Sequence, residues 1–183
     1  MNFCSNCGSQ ISKGIPENED RERYYCTNCG VIHYQNPRVV VGCIPEWHGK
    51  ILLCLRNIEP RRNAWTLPAG YLENGESALE GARRETWEES RAIVYDLVPY
   101  YLADLIGVDQ LYMMFRCRLS EPNFETTRES KDVRLFAEKD IPWDNIAFTV
   151  IAQTLKRYFA DRANGAYVFR NEQLTTHPKR RRN

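Results

Sequence analysis

The stretch Gly70-Tyr71-Leu72-Glu73-Asn74-Gly75-Glu76-Ser77-Ala78-Leu79-Glu80-Gly81-Ala82-Arg83-Arg84-Glu85-Thr86-Trp87-Glu88-Glu89-Ser90-Arg91-Ala92 decides how this chain is read. Ser77 and Glu80 form a Ser-x-x-Glu capping box, so a helix begins there and runs to about Arg91. On that helix Glu85, Glu88 and Glu89 stand at i, i+3 and i+4, which places three carboxylates on one face within a turn. Like charges this close repel. A hard divalent ion relieves the repulsion, and Mg²⁺ in particular takes oxygen ligands while keeping waters and substrate phosphates. Ala78, Leu79 and Ala82 suit the opposite side, toward a core. Glu76 and Arg84 are spaced to form an ion pair that clamps the preceding loop to the helix. Gly70 permits a close backbone approach, so its carbonyl can supply another oxygen. The bland alternative is a solvated acidic helix face.

Working outward, 38–44 (RVVVGCI) and 50–55 (KILLCL) read as two strands of a hairpin joined through Pro45 to Gly49. Residues 57–75 are loop-rich. Downstream, 92–99, 100–106 and 111–119 read as a meander of strands, with a further short strand at 133–137. Val150, Ile151, Leu155, Tyr158 and Phe159 fall near helical spacing and predict a second helix from about Phe148 to Ala160. An apolar patch, Ala166 to Phe169, precedes the basic end Lys179-Arg180-Arg181-Arg182. The mixture predicts an α/β domain of helices on a mixed sheet.

Before it, Cys4-Ser5-Asn6-Cys7-Gly8 and Cys26-Thr27-Asn28-Cys29-Gly30 are two matching C-x2-C knuckles with 18 residues between them. Each presents two thiolates on a tight turn, and four thiolates at about 2.3 Å close a tetrahedral Zn²⁺ sphere with no open position. Such a zinc is structural. The segment 1–35 is therefore expected to be a zinc ribbon, with 36–183 as the larger domain and a flexible tail from about 177. Cys43, Cys54 and Cys117 lie in apolar runs and read as small core residues.

The whole chain of 183 residues carries 25 basic and 24 acidic side chains, a formal net charge of +1. That balance gives no support to a nucleic-acid coat protein or a membrane-surface protein. With 43% hydrophobic and 11% aromatic residues the chain is too apolar to be disordered. No run approaches the 18 or so apolar residues of a membrane span, and the N-terminus lacks a secretory pattern. A cytoplasmic protein is expected.

The segment around the carboxylates resembles the signature of the Nudix hydrolases. Gly70, Glu76, Arg84, Glu85, Glu88 and Glu89 match its defining positions in register. Thr86 stands where an aliphatic residue is usual, and Arg91 where the signature ends in Gly, which puts the helix terminus rather than the charged positions in doubt. The resemblance implies an α/β/α sandwich and hydrolysis of a nucleoside diphosphate linked to another group. It also implies Mg²⁺ or Mn²⁺ held by Gly70, Glu85, Glu88 and Glu89, with Glu76 and Arg84 as scaffold. The general base is expected at Glu88 or Glu89, or at a downstream carboxylate, Glu129 or Asp132.

With its ribbon, and with Tyr34-Gln35-Asn36-Pro37, Trp65-Thr66-Leu67-Pro68-Ala69-Gly70-Tyr71 and Arg134-Leu135-Phe136-Ala137, the chain is similar to plant plastid FAD pyrophosphatases and their bacterial relatives. That likeness implies FAD or ADP-ribose as substrate, with release of AMP. NADH pyrophosphatases rank lower, because their Ser-Gln-Pro-Trp-Pro-Phe-Pro segment is missing, and hydrolysis of an NAD cap on RNA is an intermediate reading. Tyr34, Trp65, Tyr71 and Tyr101 are candidate shelves for adenine. Arg56, Arg61 and Arg62 are candidate phosphate ligands. A reading from another class is a nucleotide-sensing regulator that binds nucleic acid through its ribbon. The partners expected are a small dinucleotide substrate and, by the same likeness, a second copy of the chain.

Overall fold

The computed structural model describes residues 1–175; the basic end falls outside them. The chain divides into two compact units, Met1–Pro37 and Arg38–Asn183. In the first, β1 (Ser12–Gly14), β2 (Arg23–Tyr25) and β3 (Ile32–His33) form a three-stranded antiparallel sheet. The knuckles fold alike: the Gly8 and Gly30 N–H groups donate to the Cys4 and Cys26 carbonyls, each at 2.9 Å. Both glycines sit at φ +72°, a left-handed conformation that costs other residues about 1 kcal/mol or more.

The second unit contains β4 (Arg38–Trp47), β5 (Lys50–Arg56), β6 (Trp65–Thr66), β7 (Ala69–Tyr71), α1 (Ala78–Ser90), β8 (Val94–Leu105), β9 (Gln110–Leu119), β10 (Ser130–Phe136), α2 (Thr149–Asn164) and β11 (Arg170–Gln173). The sheet runs β10-β5-β4-β9-β8-β11, with β6 on β5 and β7 on β4. The β4–β9 and β8–β11 pairs are parallel and the others antiparallel. The continuous apolar run of β4 is explained by burial on both faces. Val40 and Ile44 join one core with α2, whose Val150, Ile151, Leu155, Tyr158 and Phe159 lie against it; Val41 and Cys43 join a second core with Ala82 of α1. One sheet between two helical layers is the α/β/α sandwich. Cys43, Cys54 and Cys117 all lie buried in the second core. No helix of the described residues is long and apolar enough to cross a membrane.

Four expectations change in detail. The hairpin loop is only His48 and Gly49, both at positive φ, as a two-residue turn requires. Pro45 stays inside β4, because Cys43 N–H points to Pro68 and a residue two further on points its nitrogen the same way, into the gap between β7 and β5. The strands expected at 92–99 and 100–106 are one strand, β8, whose register shifts at Tyr95/Val98 and Pro99/Tyr101 absorb the proline. Helix α2 continues to Asn164, where Gly165 caps it at φ +70°. The patch at 166–169 leads into β11, a parallel edge strand that the sequence reading did not foresee. Asp161 pins this segment: Arg170 donates to both its oxygens at 2.5 and 2.6 Å, and Tyr100 Oη donates at 2.9 Å.

Candidate active site

Helix α1 starts as its capping box dictates: the Glu80 N–H donates to Ser77 Oγ and the Ser77 N–H donates to Glu80 Oε2. Thr86, at the buried position where an aliphatic residue is usual, silences its hydroxyl by donating to the Ala82 carbonyl at 2.8 Å. The helix ends on Arg91 at φ 59°, a left-handed cap that Gly would adopt without strain.

The residues between loop and helix interlock through Arg84. Its guanidinium donates to both Glu76 oxygens at 2.9 and 2.6 Å, to Glu85 Oε1 at 2.7 Å, to Glu88 Oε2 at 3.1 Å and to the Tyr71 carbonyl at 3.1 Å. The expected Glu76–Arg84 pair is thus present and bidentate. Hydrogen bonds from Arg84 and then from the Glu73 N–H hold the Glu76 carboxyl down at about 2. One guanidinium nitrogen bridges Glu85 and Glu88, so these two carboxylates share a cation within the protein itself.

Glu89 has no such partner. It is 5% exposed, and its Oε2 is a buried oxygen that makes no hydrogen bond among the described residues. Burial, and then the Glu85 charge, push its carboxyl up to about 8, against the opposing charge of Arg56. Burial also raises Glu85, with Arg84 opposing. Gly70 packs so tightly under Glu85 that a Cβ would overlap that carboxylate. These observations test whether a divalent ion suits the site. An orphaned buried oxygen, a second carboxylate cradled on bare backbone, and donors that are all hard oxygens fit Mg²⁺ or Mn²⁺.

The carboxylates face a cleft of about 1280 Å³ in the second unit. Gly70, Arg84, Glu85, Glu88, Glu89, Arg56, Arg61, Tyr71 and Glu129 line it. Arg56 is 9% exposed; its Nε donates to the Pro60 carbonyl at 2.9 Å, and among the described residues no carboxylate pairs with it. Glu129 arrives on a loop tied to the end of α1: Glu125 N–H donates to the Ser90 carbonyl, and Thr127 Oγ1 accepts from the Glu129 and Ser130 N–H groups.

Other expected residues lie elsewhere. Asp132, the alternative base, points to Arg134 at 2.5 Å on β10 and does not line the cleft. Its strand is the edge of the sheet, and register rather than nearness in sequence to Glu129 decides its position. Trp65 is 8% exposed and packs edge-on against Phe136 in the core. Tyr101 is fully buried, donating to Glu172. Tyr34 belongs to the first unit, where it donates to Glu19. Arg62 donates to Asn57 and does not line the cleft. Of the four candidate aromatic shelves, Tyr71 is at the cleft. Arg38, Gln110, Tyr112, Phe148 and Trp143 also line it and were missed: β4 and β9 bring the first three there, and the segment leading into α2 brings the last two.

In the first unit, the Cys4, Cys7, Cys26 and Cys29 sulfurs lie within 4.8 Å of one another, close enough to share one metal ion. His33 Nε2 lies 3.3 Å from Cys4 Sγ, and Asn6 and Asn28 donate weakly to Cys29 and Cys7. His33, four residues past Cys29, was not anticipated; its ring nitrogen lies within hydrogen-bond reach of the Cys4 sulfur.

Comparison with known proteins agrees with this architecture. A Nudix N-terminal zinc-ribbon family model matches residues 2–35 and the NUDIX domain model matches residues 36–157. The chain therefore belongs to the Nudix hydrolase family. A crystal structure of a NUDIX hydrolase from Nitrosomonas europaea shares 47% identity with it over 96% of this chain and 100% of that one, at a TM-score of 0.93. Nudix hydrolase 19, chloroplastic, of Arabidopsis thaliana is 37% identical over 101 residues, and phosphatase NudJ of Escherichia coli 41% over 54. Those alignments cover 52% and 30% of this chain, and only 22% and 35% of the two relatives.

Proposed function

We propose that this protein is a pyrophosphohydrolase that cleaves the diphosphate of an adenylated diphosphate, ADP-ribose or FAD, and releases AMP. The observation that carries the reading is the buried, unpartnered Glu89 oxygen beside Glu85 and Gly70 on the wall of a cleft large enough for a dinucleotide. A Streptococcus suis structure described as an ADP-ribose pyrophosphatase has the same fold at a TM-score of 0.61; at 19% identity the likeness is one of fold alone.

In this proposal Gly70, Glu85, Glu88 and Glu89 hold Mg²⁺ or Mn²⁺, and the four cysteines hold a structural Zn²⁺. The divalent ion, when bound, neutralises diphosphate charge and makes water more acidic. The protein supplies the rest. Arg84, locked by Glu76, keeps Glu85 and Glu88 on the cleft side of α1. Among the described residues the terminal nitrogens of the buried Arg56 guanidinium make no hydrogen bond, which suits them to grip a phosphoryl oxygen that carries growing charge. Glu129 is free to take the proton of the attacking water, as a base on the cleft wall must. The water attacks one phosphorus, its O–P bond forms as the bridging P–O bond breaks, and the leaving phosphate departs on the opposite side.

The test is a panel of ADP-ribose, FAD, NADH, a diadenosine polyphosphate and NAD-capped RNA with Mg²⁺ or Mn²⁺, reading AMP or its RNA equivalent. ADP-ribose or FAD is expected to give the highest kcat/KM. Hydrolysis of capped RNA alone, with affinity falling steeply in salt, would replace this reading, and no turnover at all would leave a sensor.

A further inference from the structure

Three residues on the cleft wall form a unit that the catalytic reading does not use. The registers Arg38↔Gln110 between β4 and β9 and Val40↔Tyr71 between β4 and β7 bring Arg38, Tyr71 and Gln110 together. The Arg38 guanidinium lies over one face of the Tyr71 ring, 5.1 Å from its centroid. Gln110 Nε2 donates to the Tyr71 hydroxyl at 3.1 Å. The Tyr71 backbone is held in β7 and by Arg84, which donates to its carbonyl. A tyrosine held at its backbone, its hydroxyl and one face would ordinarily be a core residue, yet Tyr71 is 43% exposed and lines the cleft. Among the described residues no aromatic ring or second guanidinium covers the opposite face.

We infer that Arg38, Tyr71 and Gln110 form a stacking platform for the planar heteroaromatic end of the substrate. This rests on the diphosphate reading above and deepens it by assigning the ring subsite. The physical case is pre-organisation. The Gln110 hydrogen bond and the Arg38 guanidinium restrict the ring before any ligand arrives, so stacking costs less further entropy, and the cation on the far face polarises the ring. Tyr71, Glu85, Glu88 and Glu89 line one cleft, so a ring stacked on Tyr71 can belong to a ligand whose phosphates sit at the carboxylates. Arg38 and Gln110 act through Tyr71 and are positioning residues.

The test measures binding of three probes to the full chain without turnover: AMP, FMN and ribose 5-phosphate, which has the phosphate and sugar but no ring. Tyr71→Ala is expected to weaken AMP or FMN about ten-fold or more, the range for losing one stacked base, and to leave ribose 5-phosphate within two-fold. Tyr71→Phe, which keeps the ring, should restore most of the affinity. Gln110→Leu and Arg38→Leu should each weaken the same probe less than Tyr71→Ala does. Loss confined to AMP identifies the ring as adenine, and loss confined to FMN identifies it as flavin. Unchanged affinity for both, or equal loss of all three probes, overturns the platform. Ring-dependent binding by a protein that hydrolyses no diphosphate would instead overturn the proposed activity and leave the platform standing.

Discussion

Replacing Glu89 by Gln exposes the cost of keeping an unpaired carboxyl at the centre of the site. Glu89 is nine-tenths buried, its Oε2 bonds to nothing, and its carboxyl is pushed up to about 8, whereas an unfolded Glu titrates near 4.3. The folded value lies above the unfolded one. The unfolded chain therefore loses its proton first as pH rises, and without divalent ions stability falls between about pH 4 and pH 8 by about 1.4 kcal/mol per unit. At pH 7 the accumulated loss is about 3.5 kcal/mol. Gln cannot ionise, although its buried amide returns about 1 to 2 kcal/mol of that gain as an imperfectly bonded polar group. Glu89→Gln should thus be no more stable than the parent near pH 4.5 and clearly more stable at pH 8, while losing activity by orders of magnitude. Thermal unfolding followed by circular dichroism from pH 4.5 to 8 reads this, in buffer free of magnesium and manganese but without a chelator strong enough to disturb the thiolates. Adding Mn²⁺ at pH 8 should then raise the melting temperature of the parent and not of the variant. Parallel pH profiles for the two proteins, or equal stabilisation by Mn²⁺, would refute the reasoning.

Gly70→Ala should fold, because the collision is with a side chain that can swing away, yet displace Glu85; Mn²⁺ affinity and kcat should both fall at least ten-fold while the melting temperature changes little. Glu129→Gln is expected to lower kcat about a hundred-fold, the lower end for a lost general base, and Asp132→Asn to leave it within three-fold; the reverse ranking in steady-state kinetics would move the base to β10. Cys26→Ala should abolish bound zinc, measured by elemental analysis, and make residues 2–35 sensitive to limited proteolysis, since a unit this small depends on its metal. Asp161→Asn removes the anchor of β11 and leaves the part-buried Arg170 without its carboxylate, at a cost of about 1 to 3 kcal/mol. Arg170 holds the Asp161 carboxyl down at about 2, below its unfolded value, so that contribution is present above about pH 4 and fades as pH falls toward 2; urea unfolding at pH 7 and pH 2.5 checks it.

By itself the sequence determined whatever depends on near neighbours along the chain. The Ser77–Glu80 cap, the carboxylate face of α1, the Glu76–Arg84 clamp and the two cysteine knuckles all follow from spacings of a few residues, where helix and turn geometry leave no choice. Composition and periodicity were enough for two helices on a mixed sheet. The tertiary structure decided what depends on which strands meet. Trp65 and Tyr101 looked like Tyr71 as aromatic residues, but the pleat turned the first two into the core and left the third at the cleft. Glu129 and Asp132 stand three residues apart, and a loop tied to Ser90 brings only the first to the cleft. Register between β4, β7 and β9 assembles Arg38, Tyr71 and Gln110 from places more than thirty residues apart. Such pairings are set by burial summed over the whole sheet, a quantity that no local window of sequence contains.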